Sequence, residues 1–179
     1  YMSNLEEEKK LLRREMKKLR AARRGNDGAV AENFLSLPET AEKNIFFVYH
    51  AFGTEADTMP AIEGLLRAGK TVLLPRVEGK EMSAVPYRAD APLHAGAFGI
   101  PEPPGAPFQG KPEVVVLPLL AADERGGRLG YGGGYYDRFL SGMSASDVLK
   151  AGYCYDFQVL PEVPVAPCDV PLDVIVTDK

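Results

Sequence analysis

Tryptophan is absent from this 179-residue chain, and histidine and cysteine occur only twice each. His50 and His94 are too few to build a His-rich zinc centre. Cys154 and Cys168 lie apart in the sequence and do not make a disulfide framework; they read as reduced thiols of a cytoplasmic protein, buried filler by default. No apolar run is long enough to cross a bilayer, and no charged segment followed by an apolar stretch opens the chain as a secretory signal would. Tyr1, ahead of Met2, reads as a cloning remnant. No Gly-Lys-Ser/Thr closes a Walker A loop, and the G-x-G-x-x-G dinucleotide fingerprint is missing. No Ser-His or Cys-His arrangement offers a nucleophile with its base. No repeat, low-complexity tract or long linker divides the chain, so residues 1–179 are expected to form one cytoplasmic domain.

What is present describes a globular protein with a sizeable core: 45% of residues are hydrophobic and 26% charged. The net charge of −4 conceals an asymmetry. Residues 9–24 hold nine Lys and Arg against the single acid Glu15, a local charge of +8, so the remainder carries −12. A basic arm on an acidic body suits an anionic ligand or nucleic acid.

Periodicity places a helix over residues 5–24, with Leu5, Leu12, Met16 and Leu19 on one face, stopped by Gly25, Asn26, Asp27 and Gly28. Lys9 and Arg13, four apart, stack at the border of that stripe. A second helical stretch over 30–37 ends at Pro38, and a third covers 58–68. Apolar runs at 45–49, 71–74, 82–87, 114–117, 151–155 and 174–177 read as strands, the second closed by Pro75. Residues 88–112 are rich in Pro and Gly and read as irregular. A last helix is expected over 135–143. Strands alternating with helices predict an α/β fold with a mostly parallel sheet flanked by helices. Ligands then bind beyond the carboxyl ends of the strands, where the loops after Val48, Leu74, Leu117 and Tyr155 share one rim.

The chemistry is concentrated between the strand at 114–117 and the helix at 135–143. Gly130-Tyr131-Gly132-Gly133-Gly134 is followed by Tyr135, Tyr136, Asp137 and Arg138. Glycines this dense let backbone N–H groups approach a ligand that any Cβ would hold off, and a run of such groups cradles phosphate. A carboxylate one turn later suits the cation that accompanies phosphate, Mg²⁺ above all. Arg128, two residues before the glycines, has a planar guanidinium able to bridge phosphate oxygens. A bare G-x-G turn with a packing role is the simpler alternative.

In these residues the chain resembles the 5-formyltetrahydrofolate cyclo-ligase (5,10-methenyltetrahydrofolate synthetase) family. Asp123 to Arg138, DERGGRLGYGGGYYDR, is similar to its signature. In order along the chain, KKLLRREMKKL from Lys9 to Leu19, Glu55-Ala56-Asp57-Thr58, Leu74-Pro75-Arg76 with Met82, Gly99-Ile100 with Glu102-Pro103, Gly152 through Gln158, then Pro161, Asp169 and Pro171-Leu172-Asp173-Val174-Ile175-Val176-Thr177 fit the same family, Asp169 without an assigned role. Ala122 departs from it, standing where an aromatic residue is common.

The resemblance implies a three-layer architecture like that of sugar-phosphate isomerases and CoA transferases. It also implies an ATP- and Mg²⁺-dependent reaction in which the formyl oxygen of 5-formyltetrahydrofolate is phosphorylated and N10 closes the ring, releasing ADP and phosphate. It implies nucleotide contacts from Lys9, Arg13, Arg128, Leu129, Gly130, Tyr131, Gly132, Gly133, Gly134, Tyr135 and Tyr136, with Arg128, Tyr131 and Asp137 catalytic. Folate contacts fall on His50, Glu55, Tyr131, Gly132, Gly133, Gly134 and Tyr135, and metal contacts on Asp137 and Asp173. Glu55 suits the N–H edge of a pterin, which a carboxylate can accept in paired hydrogen bonds. Each assignment has a plainer alternative: a solvated basic face for Lys9 and Arg13, a dipole partner for Asp137, a strand cap for Asp173, a helix start for Glu55, core for some of the tyrosines. No nucleic acid and no membrane are expected as partners, and the protein is expected to be a monomer or weak dimer. An isomerase-like enzyme or a basic nucleic-acid-binding module are the rival readings; the latter lacks any recognisable nucleic-acid motif.

Overall fold

The computed structural model describes residues 3–144 and 146–179. In chain order its elements are α1 (Asn4–Ala22), α2 (Asp27–Leu35), β1 (Ile45–Val48), α3 (Met59–Arg67), β2 (Thr71–Glu78), β3 (Glu81–Pro86), β4 (His94–Ala95), β5 (Pro101–Glu102), β6 (Val114–Leu117), β7 (Ala121–Ala122), β8 (Arg128–Leu129), α4 (Tyr135–Ser141), β9 (Leu149–Tyr153) and β10 (Val174–Val176). The first two helices begin at side-chain caps: Ser3 accepts from the Glu6 N–H at 3.2 Å and Asn26 from the Ala29 N–H at 3.0 Å. The Asn26 cap starts α2 earlier than apolar spacing alone predicts, turning the expected Gly25–Gly28 stop into a short corner.

The main sheet has the order β10-β9-β6-β1-β2-β3. All pairs are parallel except β2 with β3, so the predicted α/β class and mostly parallel sheet are what the chain forms. One face packs Phe46, Val48, Val72, Leu74, Val114 and Val116 against Val30 and Phe34 of α2 and Ile62 and Leu65 of α3. The other packs Phe47, Leu73, Val115 and Leu117 against Leu140 of α4. A short hairpin, β7–β8, follows β6 and carries α1 on its back, with Met16 against Leu120, Ala121 and Leu129. The parallel strands β1, β2, β6 and β9 thus end on one carboxyl rim, and α1 lies against the hairpin that leads into the glycine loop.

Pro75 does not close β2, as its sequence suggested, but sits inside it opposite Ala84. The Ala84 carbonyl accepts from the Phe108 N–H at 2.8 Å and so faces away from β2. At this non-hydrogen-bonded pair β2 needs no donor toward β3, and β1 pairs with β2 only as far as Leu73. Two residues on, the Val77 N–H on the same side is taken by the buried Glu102 carboxylate at 2.9 Å. Glu102 belongs to the β4–β5 hairpin, which orders part of a segment expected to be irregular.

Candidate active site

The glycine loop leaves β8 on the carboxyl rim and enters α4. Gly132 and Gly134 have φ of +99° and +72°, left-handed values that strain any side chain. A Cβ on Gly134 would also stand 2.7 Å from an Arg138 guanidinium nitrogen. Among the described residues, none of the N–H groups from Tyr131 to Gly134 donates to a protein acceptor. They form a set of donors without protein partners, on a stretch where Tyr131, Gly132 and Gly133 are exposed.

Cations close around this loop. Arg13 Nε donates to the Gly130 carbonyl at 2.9 Å, and its guanidinium lies 3.5 Å from the place a Gly132 Cβ would occupy. One turn earlier, Lys9 is only 6% exposed and donates to Asp169 Oδ2 at 2.5 Å. Arg128 donates from Nε to the Pro118 carbonyl at 3.3 Å and lies 5.8 Å over the Tyr136 ring. Burial pulls the Arg128 guanidinium below its ordinary pKa, against the charges of Asp137 and Asp169, which favour its cation. Asp137, in the first turn of α4, accepts the Val170 N–H through Oδ1 at 3.1 Å; among the described residues its Oδ2 has no hydrogen-bond partner.

Asp169 is the site residue that sequence reasoning did not assign. It lies 160 residues from Lys9, and no local pattern links the two. Burial would raise its pKa, but the Ala166 N–H at 2.8 Å, Lys9 and Arg128 together hold it below the ordinary carboxylate range. A depressed carboxylate contributes stability above its unfolded pKa and loses it as pH falls through the folded one. Asp169→Asn is therefore expected to lower unfolding stability by about 1–3 kcal/mol at pH 7, because Lys9 stays buried without its counter-charge. Urea unfolding at pH 7 and again near pH 3 checks this: the gap from wild type narrows in acid, where the wild-type ion pair is itself lost. An equal gap at both pH values would contradict the assignment.

The loop after β1 supplies the other half. Glu55 is 9% exposed, and its Oε1 accepts the Phe52 N–H at 2.7 Å. Burial pushes its pKa up, while the Phe52 N–H, Tyr131 and the more distant Arg20 pull it down. Tyr131 interacts with both Glu55 and Arg20, and the Arg20 guanidinium stands 5.5 Å from the centre of its ring. His50 is half-buried on the same loop, with Nδ1 3.0 Å from the Ala51 carbonyl. Tyr135 donates its hydroxyl to the Gly79 carbonyl at 2.9 Å and meets Phe98 edge to face.

Lys9, Arg13, Arg128, the glycines, Tyr131, Asp137, Glu55, His50 and Tyr135 thus come to one rim. Three expected residues stand differently. Leu129 is 1% exposed beneath Met16, and its carbonyl is taken by the Leu120 N–H at 2.8 Å; its side chain serves the core. Tyr136 stacks on Phe47 with ring centres 6.1 Å apart, so its ring belongs to the core and supports Arg128 from below. Asp173 precedes β10, at the amino end of a strand parallel to the others, and accepts the Lys150 N–H at 2.8 Å with the Lys150 ammonium 3.3 Å away. Strand direction places it at the edge opposite the carboxyl rim, engaged with lysine rather than joined to Asp137. Asp123, 1% exposed, is tied up in a turn, where it accepts the N–H groups of Arg125, Gly127 and Val163.

Residues 5–178 match the model of the 5-formyltetrahydrofolate cyclo-ligase family. The chain is 34% identical over 154 residues to the 5-formyltetrahydrofolate cyclo-ligase of Escherichia coli, covering 82% of this chain and 85% of that protein. It is 30% identical over 178 residues to that of Haemophilus influenzae, covering 92% and 95%. Among solved structures it is similar to the 5,10-methenyltetrahydrofolate synthetase of Aquifex aeolicus, with a TM-score of 0.83, 35% identity, and coverage of 96% of this chain and 90% of that one. A synthetase from Mycoplasma pneumoniae, at 22% identity and a TM-score of 0.75, shares the fold.

Proposed function

This chain belongs to the 5-formyltetrahydrofolate cyclo-ligase family and is an enzyme of that kind; from that premise we propose that it closes the 5,10-methenyl ring at the expense of ATP, with Mg²⁺, on the carboxyl rim of its sheet. The observation that carries this reading is the set of glycine-loop N–H groups without protein acceptors, ringed by Lys9, Arg13 and Arg128. Donors with no partner among the described residues suit phosphate oxygens, and Arg13 and Arg128 add positive charge beside Lys9, whose own charge is paired with Asp169.

A formamide oxygen is a poor leaving group. In the proposed sequence the formyl oxygen attacks the γ-phosphorus and ADP departs, leaving a phosphorylated, electrophilic formyl carbon. The N10 lone pair then attacks that carbon, the carbon–oxygen bond breaks, phosphate leaves carrying the former formyl oxygen, and the N10 proton passes to solvent. No side-chain nucleophile is needed; the protein's work is positioning and charge stabilisation. Arg128 faces the charge that develops on the transferred phosphoryl, and Lys9 and Arg13 hold the remaining phosphates against α1. Glu55 accepts from the pterin N–H edge, His50 lines the same side, and Tyr131 stands between the two substrates.

Among the described residues no three His, Cys, Asp or Glu side chains cluster to hold a metal. Mg²⁺ takes one or two carboxylates and completes its shell with water and substrate phosphates. Asp137, with Oδ2 uncommitted, is the residue to hold it; bound there, Mg²⁺ supplies charge neutralisation on phosphate oxygens.

Among the described residues no helix is long and apolar enough to cross a membrane. The reading is of a cytoplasmic enzyme, monomer or weak dimer, that takes small molecules and no nucleic acid. Purified protein mixed with 5-formyltetrahydrofolate, MgCl₂ and ATP, followed by the absorbance of the methenyl product, tests it. Turnover is expected to stop when ATP is replaced by a non-hydrolysable analogue. Equal turnover without nucleotide would refute the ATP dependence.

A further inference from the structure

We infer that Arg20 is a positioning residue for the folate half of the rim, holding Glu55 and Tyr131 in their working arrangement. The inference rests on the proposed placement of folate at Glu55 and extends it to a residue outside that substrate contact set.

Arg20 is one of nine cations between residues 9 and 24, and it stands four residues after Met16, on the apolar side of the helix. In the fold it is set apart: 6% exposed, whereas Lys10, Arg14, Lys17, Lys18, Arg23 and Arg24 of the same run are exposed. Its Nε donates to Thr54 Oγ1 at 2.9 Å, next to Glu55 on the loop after β1. Its Nη1 donates to the Leu119 carbonyl at 3.1 Å, on the segment leading from β6 to the β7–β8 hairpin. Its guanidinium covers the Tyr131 ring at 5.5 Å. One planar group therefore ties α1 to the loop that presents Glu55, to the segment behind the hairpin, and to the glycine loop. A lysine could supply the charge but not two directed donors and a face for the ring.

Arg20 forms no direct ion pair with Glu55, so its charge acts at longer range. Other groups face Glu55 as well: Tyr49 just after β1, Tyr131 and Tyr136 from the glycine loop and α4, and Arg24 just beyond α1, which donates to the Glu55 backbone carbonyl at 3.4 Å. The Phe52 N–H, Tyr131 and Arg20 favour the ionised carboxylate against its burial. Loss of Arg20 removes a cation and loosens the tyrosine together, and both changes act on the carboxylate that meets the pterin.

The test compares Arg20→Met, Arg20→Lys and Glu55→Gln under steady-state turnover. Arg20→Met is expected to raise the KM for 5-formyltetrahydrofolate about tenfold, with the KM for ATP changed by less than about twofold. The acid limb of kcat/KM for folate should move to higher pH, since a carboxylate without its cation holds its proton longer. Arg20→Lys should return that limb close to wild type while leaving part of the KM defect. An unmoved acid limb together with an unchanged folate KM, or an ATP KM that rises as much as the folate KM, would overturn the inference. Should Arg20→Met fail to fold, the double-mutant cycle of Arg20→Lys with Glu55→Gln decides: effects smaller together than their product support coupling, and effects that multiply overturn it. Glu55→Gln alone separates the two readings. If it leaves folate binding intact, folate is not at Glu55 and the inference falls with that placement; if it weakens folate binding while Arg20→Met does nothing, only the role of Arg20 falls.

Discussion

Asp137→Asn is expected to leave a folded protein with turnover reduced by at least about 100-fold, a larger loss than any other single substitution on this rim should cause. Asn keeps the acceptor that holds the Val170 N–H through Oδ1, so α4 and the segment beside it retain their contact. What disappears is the negative charge beside Arg128 and the oxygen that among the described residues has no protein partner. Both losses fall on metal-bound nucleotide rather than on folding. Nucleotide affinity measured without Mg²⁺ should change little, whereas the gain in affinity on adding Mg²⁺ should shrink. Thermal unfolding should stay within about 3 °C of wild type, as for a change of less than ~1 kcal/mol. Turnover near the wild-type rate, or a large fall in melting temperature, would each defeat the assignment, the first as chemistry and the second as selectivity.

The second large effect is expected at Arg128. Arg128→Ala should raise the KM for ATP about 10- to 100-fold, the loss of one or two charge-assisted hydrogen bonds, while the KM for folate stays within about twofold. The guanidinium is held from two sides before any nucleotide arrives: Nε is tied to the Pro118 carbonyl and its plane rests over Tyr136. That support fixes the remaining N–H groups in direction, and burial weakens their competition with water, which strengthens whatever anion they meet. Arg128→Lys should recover only part of the loss, since an ammonium on a flexible stem cannot reproduce the fork. The alanine variant also leaves the Pro118 carbonyl without this donor, so a stability cost of about 1 kcal/mol is expected alongside the kinetic one. An unchanged ATP requirement in a folded variant would remove Arg128 from the site.

Much of the fold was legible because it is written in short-range patterns. Val114 to Leu117 is a continuous apolar run because its strand is covered on both faces, and Ile62, Leu65 and Leu66 repeat at helical spacing because α3 turns them toward the sheet. Pro75 misled because a proline's tolerance depends on which neighbours flank its strand, and that is not a local property. The family resemblance grouped Leu129 and Tyr136 with the glycines, with core as the alternative for some of the tyrosines; the turn of the backbone sends one beneath α1 and the other against Phe47.

The sequence by itself determined the class of fold and the strand-to-helix position of the glycine loop, since φ freedom and periodicity are carried by a few adjacent residues. Only the tertiary structure decided which distant groups meet. It set Arg20 against Leu119, 99 residues away, and Lys9 against Asp169, 160 residues away. It turned Asp173 toward Lys150 at the amino edge, because the direction of a parallel strand dictates which end of the sheet its first residue occupies. A basic helix offers many equivalent cations, and burial against a particular partner is what distinguishes one from its neighbours.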